Sequence, residues 1–343
     1  MPDFMNVATL TKQVNNNLPA KRFLSSFFEP VHLKTLNAEL DTVEGSRVIA
    51  PFKREGAKRT VTKRGGYTKR PFHCYEIGLE RPTNAMDVFK AQPGEPSTVV
   101  DPMDPNERQA YILGQDSLDL NNRINRTIET ICSKTFFDGK YDILDEENKK
   151  IDSIDFGCKS SHKITKAGEK IWTGNQADII GDLSELDTIV NEDSGLTVAD
   201  KIFGSAAWNA ARNNEKFMKD FDRLHVTGND MNLAAGRNNL GARLVGFYCG
   251  CRIWVYDEIY KVGNDKVNFV PKDKVLAIGE GVSAKLYFGC VGNVKDGWFM
   301  GERFAKTIYD EDDEEQKLII KSRPLAVLQQ ADGIAWAKVV NIG

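Results

Sequence analysis

Motifs that carry chemistry are missing from this sequence. There is no G-x-x-x-x-G-K-[ST] and no G-x-G-x-x-G, so the usual phosphate-cradling loops are excluded. There is no H-E-x-x-H and no G-x-S-x-G, which removes the helical zinc-protease site and the nucleophile elbow. Histidine is scarce. His32, His73, His162 and His225 stand far apart with no motif around them, and each reads as a surface or strand residue rather than a catalyst. No apolar run is long enough to span a bilayer. The N-terminus, Met1-Pro2-Asp3-Phe4, has no basic stretch followed by an apolar one, so no secretion signal is visible. A large excess of one charge is also absent. The net charge is -3 over 343 residues, so the whole chain is no polyanion binder.

Cysteine is sparse. The six are Cys74, Cys132, Cys158, Cys249, Cys251 and Cys290. A disulfide framework belongs to much shorter secreted chains, so reduced thiols are expected. Cys249 and Cys251 would share one face of a strand. No second Cys or His pair completes a tetrahedral site, so they read as small buried hydrophobes. No metal or cofactor is called for.

What the chain does have is segregated charge. Residues 53 to 70 hold Lys53, Arg54, Lys58, Arg59, Lys63, Arg64, Lys69 and Arg70 against the single acid Glu55. Two β-like runs flank this stretch, Arg47 to Phe52 and Pro71 to Gly78, giving an extended hairpin over 46–80 with Gly65-Gly66 in its tip. The tip has almost no apolar residues and cannot build a core. It is expected to project and to find order on another surface. Nucleic acid would suit its charge, but Tyr67 is its only aromatic and no nucleic-acid-binding motif accompanies it. Docking onto a sibling subunit is the preferred reading. The acidic run Asp310 to Glu315 is an attractive partner. As a cation site it lacks the alternating ligand spacing of a calcium loop, so it reads as a solvated turn.

Residues 1–45 read as an arm, with Phe23, Leu24, Phe27 and Phe28 as an apolar knot. Residues 81–105 are broken by five prolines. A spine helix then spans 106–137. Leu113, Ser117, Leu120, Ile124, Ile128, Ile131 and Thr135 recur at spacings of three and four, and Gln115, Asn122, Arg126 and Glu129 form the opposite face. Asp104 and Pro105 suit its start, and Asp138-Gly139 its end. A short hairpin over 139–156, a polar loop region over 158–177, a helix over 178–191, a strand at 199–204 and helices over 205–222 follow. Strands dominate from 241 onward. Helices before strands, without regular alternation, argue for an α+β fold.

This order resembles the lambda-type tailed-phage major capsid protein family, with its Hong Kong 97-type fold. The match is carried by Phe23-Leu24-Ser25-Ser26-Phe27-Phe28, by Lys63-Arg64-Gly65-Gly66 with the strand after it, and by the spine helix. Downstream it is carried by Asn268 to Gly279 and by Ser322 to Leu328 and on to Val339. The density of charge in the tip and the length of the acidic run depart from the family pattern.

The resemblance implies a structural protein, not an enzyme, that self-assembles into the icosahedral head of a tailed double-stranded DNA phage. It implies an N-terminal arm (1–45), an extended loop (46–80), a peripheral domain (81–190) and an axial domain (191–304). C-terminal strands (305–343) would return to the peripheral domain. The extended loop would lie across an adjacent subunit, with Arg54, Lys58, Arg59, Lys63, Arg64, Lys69, Arg70, Phe27 and Phe28 as contact residues. Pentamers and hexamers would form the shell in the host cytoplasm, with a decoration protein, a scaffold and a portal as partners and no membrane. No long scaffolding segment precedes the arm, so a scaffold would be another chain. An encapsulin-like nanocompartment shell is the alternative on the same fold. An enzyme with a nucleic-acid-binding loop is the alternative from another class.

Overall fold

A 33-residue helix, Pro105–Phe137, organises the chain. At ~1.5 Å per residue it is roughly 50 Å long. The computed structural model describes residues 11, 22–43, 67–89, 105–145, 147, 149–227, 240–293, 295–310 and 315–342. In chain order the elements are β1 (Glu29–His32), β2 (Asn37–Val43), β3 (Tyr67–His73), β4 (Ile77–Asn84), α1 (Ala85–Phe89) and α2 (Pro105–Phe137). Then come β5 (Lys140–Leu144), β6 (Lys150–Asp155), β7 (Lys163–Thr165), α3 (Ile179–Ser194), β8 (Val198–Phe203), α4 (Ser205–Asn213) and α5 (Glu215–Thr227). The remainder is β9 (Arg243–Tyr248), β10 (Cys251–Val255), β11 (Ile259–Val262), β12 (Asp265–Asn268), β13 (Lys274–Gly279), β14 (Ala284–Phe288), β15 (Val291–Asn293), β16 (Gly297–Phe299), β17 (Phe304–Asp310), β18 (Glu315–Ser322), β19 (Pro324–Leu328) and β20 (Ile334–Lys338).

The spine helix forms where its spacing predicts. Leu113, Leu120, Ile124, Ile128, Cys132 and Phe136 recur every four or seven residues, and all are buried. Each such side chain removed from water contributes about 1.5–3 kcal/mol. Pro105 occupies the first position, where its missing N–H costs nothing. Gly139 stops the helix with φ 68°, a left-handed conformation that glycine adopts freely. A Cβ there would meet Cys158 Sγ at 2.6 Å, so the turn also needs the space. The expected cap, Asp104, lies outside the described residues.

The largest sheet is six-stranded, ordered β7-β20-β13-β8-β10-β9. It mixes parallel pairs (β7 with β20, β8 with β10) and antiparallel ones. Both faces of its central strands are covered. Leu276, Ile278, Ile202 and Ile334 face a core shared with the spine helix. Val275, Ala277, Phe203, Ala335 and Ala337 face the opposite core, made with α3, α4 and α5. This alternation is the two-residue period of a strand, with both faces apolar because both are buried. Two three-stranded sheets, β1-β14-β19 and β17-β18-β4, pack along the spine helix.

Several expectations need correction. The run Pro71 to Gly78 is not one returning strand. It breaks at Cys74–Glu76, and β4 then joins β18 in another sheet. Cys74, wholly buried, still continues the β2–β3 register, its N–H donating to Leu36 O at 2.9 Å, and the chain leaves the ribbon after it. The described outgoing partner of β3 is β2, and Arg47 to Phe52 lie outside the described residues. Residues 81–84 are strand despite Pro82. Strand β4 is an edge, where a missing N–H is tolerated. Cys249 and Cys251 do not share a strand. Cys249 and Gly250 form the turn between β9 and β10, with φ of 50° and 82°. Positive φ at both central residues is what a tight hairpin turn requires. Finally, β20 joins the six-stranded sheet, away from β17, β18 and β19.

Candidate assembly interface

The arm is the first segment that sequence reasoning leaves free. Its apolar knot folds as a 3-10 helix, Leu24–Phe27, against the spine helix. Phe23 packs against Trp254 and Tyr256 at ring distances of 5.1 and 5.3 Å. Phe28 packs on Phe136 at 4.8 Å. Glu129 ties this knot down. The Leu24 N–H donates to Oε1 at 2.6 Å and the Ser25 N–H donates to Oε2 at 3.1 Å. The Tyr256 hydroxyl donates to the same carboxylate.

Glu129 is therefore not on a solvent face, as its helical position predicts. It is fully buried and caps the amide groups that a short helix leaves unpaired. Burial pushes its carboxyl up to about 7, against the backbone and Tyr256 hydrogen bonds that pull it down. Further up the arm, the Thr11 hydroxyl donates to Ala305 O at 3.0 Å and accepts from Ala305 N–H at 3.1 Å.

The extended hairpin differs. Strands β2 and β3 pair with each other through seven registered positions, from Asn37↔His73 to Val43↔Tyr67. Among the described residues no third strand joins them. Lys69 and Arg70 lie on β3, opposite Asp41 and Leu40. Arg54, Lys58, Arg59, Lys63 and Arg64 lie outside the described residues. Of the two apolar contact candidates, Phe27 is half-buried beside the core. Phe28 is only 4% exposed, a member of its own protomer's core, and leaves the set of contact residues.

The two ends of the acidic run lie on β17 and β18. Asp310 and Glu315 face each other in register, and Lys317 Nζ lies 2.7 Å from the Asp310 carboxylate. Residues 311–314 lie outside the described residues. Nearby, Asp296 pairs with Lys306 at 3.2 Å and so ties the β15–β16 hairpin to β17. That hairpin presents Trp298, 70% exposed, and Tyr309 on β17 is 58% exposed.

Of the four histidines, His32 and His73 sit exposed on β1 and β3, as expected. The side chain of His225 is outside the described set. His162 departs from expectation: it is buried between two aspartates that lie far away in sequence. The six thiols are free. No described helix is long and apolar enough to cross a membrane.

The family profile of phage major capsid protein E matches residues 6–339 of this chain. No curated protein gives a significant match. Among solved structures, the protein assigned as the capsid protein of an E. coli prophage superposes with a TM-score of 0.72. It is 16% identical and covers 98% of this chain and 99% of its own. A phage-related protein from Bordetella bronchiseptica superposes with a TM-score of 0.57 at 10% identity, covering 96% of each chain. An encapsulin from Synechococcus elongatus reaches 0.49 at 11% identity, covering 93% of this chain and 88% of its own. The fold is of the Hong Kong 97 capsid type. The chain belongs to the phage major capsid protein E family and is a structural subunit of a bacteriophage head shell, built from many copies of itself.

Proposed function

We propose that copies of this chain clasp one another through the β2–β3 hairpin, in the icosahedral head of a tailed phage that encloses double-stranded DNA. The carrying observation is a two-stranded ribbon that no third strand joins among the described residues, with the most basic segment of the sequence running between its strands and into β3. An isolated two-stranded ribbon is marginal in water. Strand addition or charge pairing on a neighbour supplies what it lacks. Arg54, Lys58, Arg59, Lys63, Arg64, Lys69, Arg70 and Phe27 are the contact residues, and the neighbour's acidic turn at 310–315 is their counterpart.

In this reading the spine helix, with sheets β1-β14-β19 and β17-β18-β4, is the peripheral domain. The six-stranded sheet, with α3, α4 and α5, is the axial domain whose loops meet in pentamers and hexamers. Assembly takes place in the host cytoplasm, away from membranes, and involves no catalytic step. A scaffold, a portal and a decoration protein are its partners in the virion. The test is charge reversal. Reversing the hairpin cations alone, or the acidic turn alone, abolishes shells in negative-stain images, and reversing both restores them. Single and double reversals that behave alike would refute the pairing.

A further inference from the structure

The buried histidine carries an inference separate from assembly. His162 ends the 3-10 helix Ser160–His162 and is 2% exposed. Its Nδ1 lies 2.6 Å from Ile334 O. A carbonyl oxygen only accepts, so Nδ1 bears the hydrogen. The other ring nitrogen points at two carboxylates. Nε2 is 2.8 Å from Asp193 Oδ2, on the last turn of α3, and 4.0 Å from Asp332 Oδ1, in the turn that enters β20. A bare Nε2 lone pair against a carboxylate is repulsive, so a cation belongs between them. It is either a proton or a metal.

We propose that His162, Asp193 and Asp332 form a binding site for a divalent transition-metal cation of the zinc class. One donor atom from each lies within 4.8 Å of the other two. An ion about 2.0–2.2 Å from each ligand, with water completing the shell, spreads the close His162–Asp193 pair and draws the farthest donors inward. The Nδ1–H to backbone carbonyl bond is how ligating imidazoles are held in the tautomer that frees Nε2. Two carboxylates and a neutral imidazole balance a double positive charge. Mixed nitrogen and oxygen donors favour zinc, nickel or cobalt over calcium or magnesium, which take oxygen.

Lys159 is the internal competitor. Its Nζ lies 3.1 Å from Asp193 Oδ2 and 3.1 Å from Asp332 Oδ2. Its side chain is half exposed, so the ammonium swings into water when the metal enters. The bound ion clamps three segments: the residues leading into β7, the end of α3, and the turn into β20. Strands β7 and β20 are neighbours in the six-stranded sheet, so the clamp locks that end of it.

The test titrates the full chain with zinc by calorimetry, in a Cys249→Ser background that removes the exposed thiol. Cobalt serves as a spectroscopic probe. Zinc binds at one site and raises Tm, and cobalt gives visible ligand-field bands without thiolate charge transfer. His162→Gln and Asp332→Asn each weaken binding by roughly tenfold or more. Asp332 sits in a surface turn, so its variant keeps the His162–Ile334 bond and the fold even where His162→Gln does not. Lys159→Met removes the competitor and tightens binding. Equal zinc uptake by the parent and the Asp332 variant, or none by either, overturns the proposal and leaves a proton-bridged ion-pair network.

Discussion

Residues 22–28 and residues 37–73 leave the same end of the chain in two ways. The first segment carries Phe23, Leu24, Phe27 and Phe28, and it docks on its own protomer around Glu129. The second carries a ribbon and a dense run of cations, and the ribbon's described strands pair only with each other. The difference lies in what each segment can withdraw from water. Four large apolar side chains outweigh the ordering cost of a short turn. Eight cations cannot, and in the proposed reading they meet an opposite charge or an open strand edge on another copy.

The contrast is broken most strongly at Leu24. It is fully buried, and Leu24→Ala is expected to lower unfolding stability by about 2–5 kcal/mol, read from denaturant midpoints. The Glu129 carboxylate comes next. Its folded pKa of about 7 stands above the ordinary 4.5, so the native state binds the extra proton between those values. Stability therefore falls as pH rises from about 4.5 to about 7, by a few kcal/mol on the linkage scale, and stays at the lower level above it. Glu129→Gln should flatten that slope in melts across the same pH window. Phe27, only half-buried, should cost about 1 kcal/mol of protomer stability as Phe27→Ala. Its larger effect should appear in shell yield if it touches a neighbour. Smallest on the protomer is the loop. Lys63→Glu with Arg64→Glu should move the unfolding midpoint by no more than ~0.5 kcal/mol, while making shell formation fail.

Much of this architecture is readable in the sequence, because local pattern and tertiary role agree there. The spine helix shows in its spacing of fours, the α3 start in Asp178, and β13 and β20 in their apolar runs. The unreadable parts are those settled by distant partners. Glu129 looks like a surface acid because its donors come from Leu24 and Ser25, over a hundred residues earlier. After Cys74 the chain passes to a strand whose partner, β18, lies over two hundred residues later, and the charge of Glu76 is held by Lys321 and Arg323. His162 reads as an isolated histidine because Asp193 and Asp332 reach it only through the folding of α3 and β20. The C-terminal strands are expected to return together to the peripheral domain, yet β20, apolar enough for burial on both faces, joins the six-stranded sheet.

The most direct measurement replaces residues 43–67 by an Asn-Gly turn. Thr42 and Thr68 face each other in register, in the same hydrogen-bonding phase as Leu36 and Cys74, so a two-residue turn closes the ribbon. Sedimentation and negative-stain imaging should then show a folded protomer, with an unchanged melting midpoint, that no longer closes into shells. Intact shells from the shortened chain, or a protomer that unfolds without the loop, would contradict the division between self-docked arm and outward-reaching hairpin.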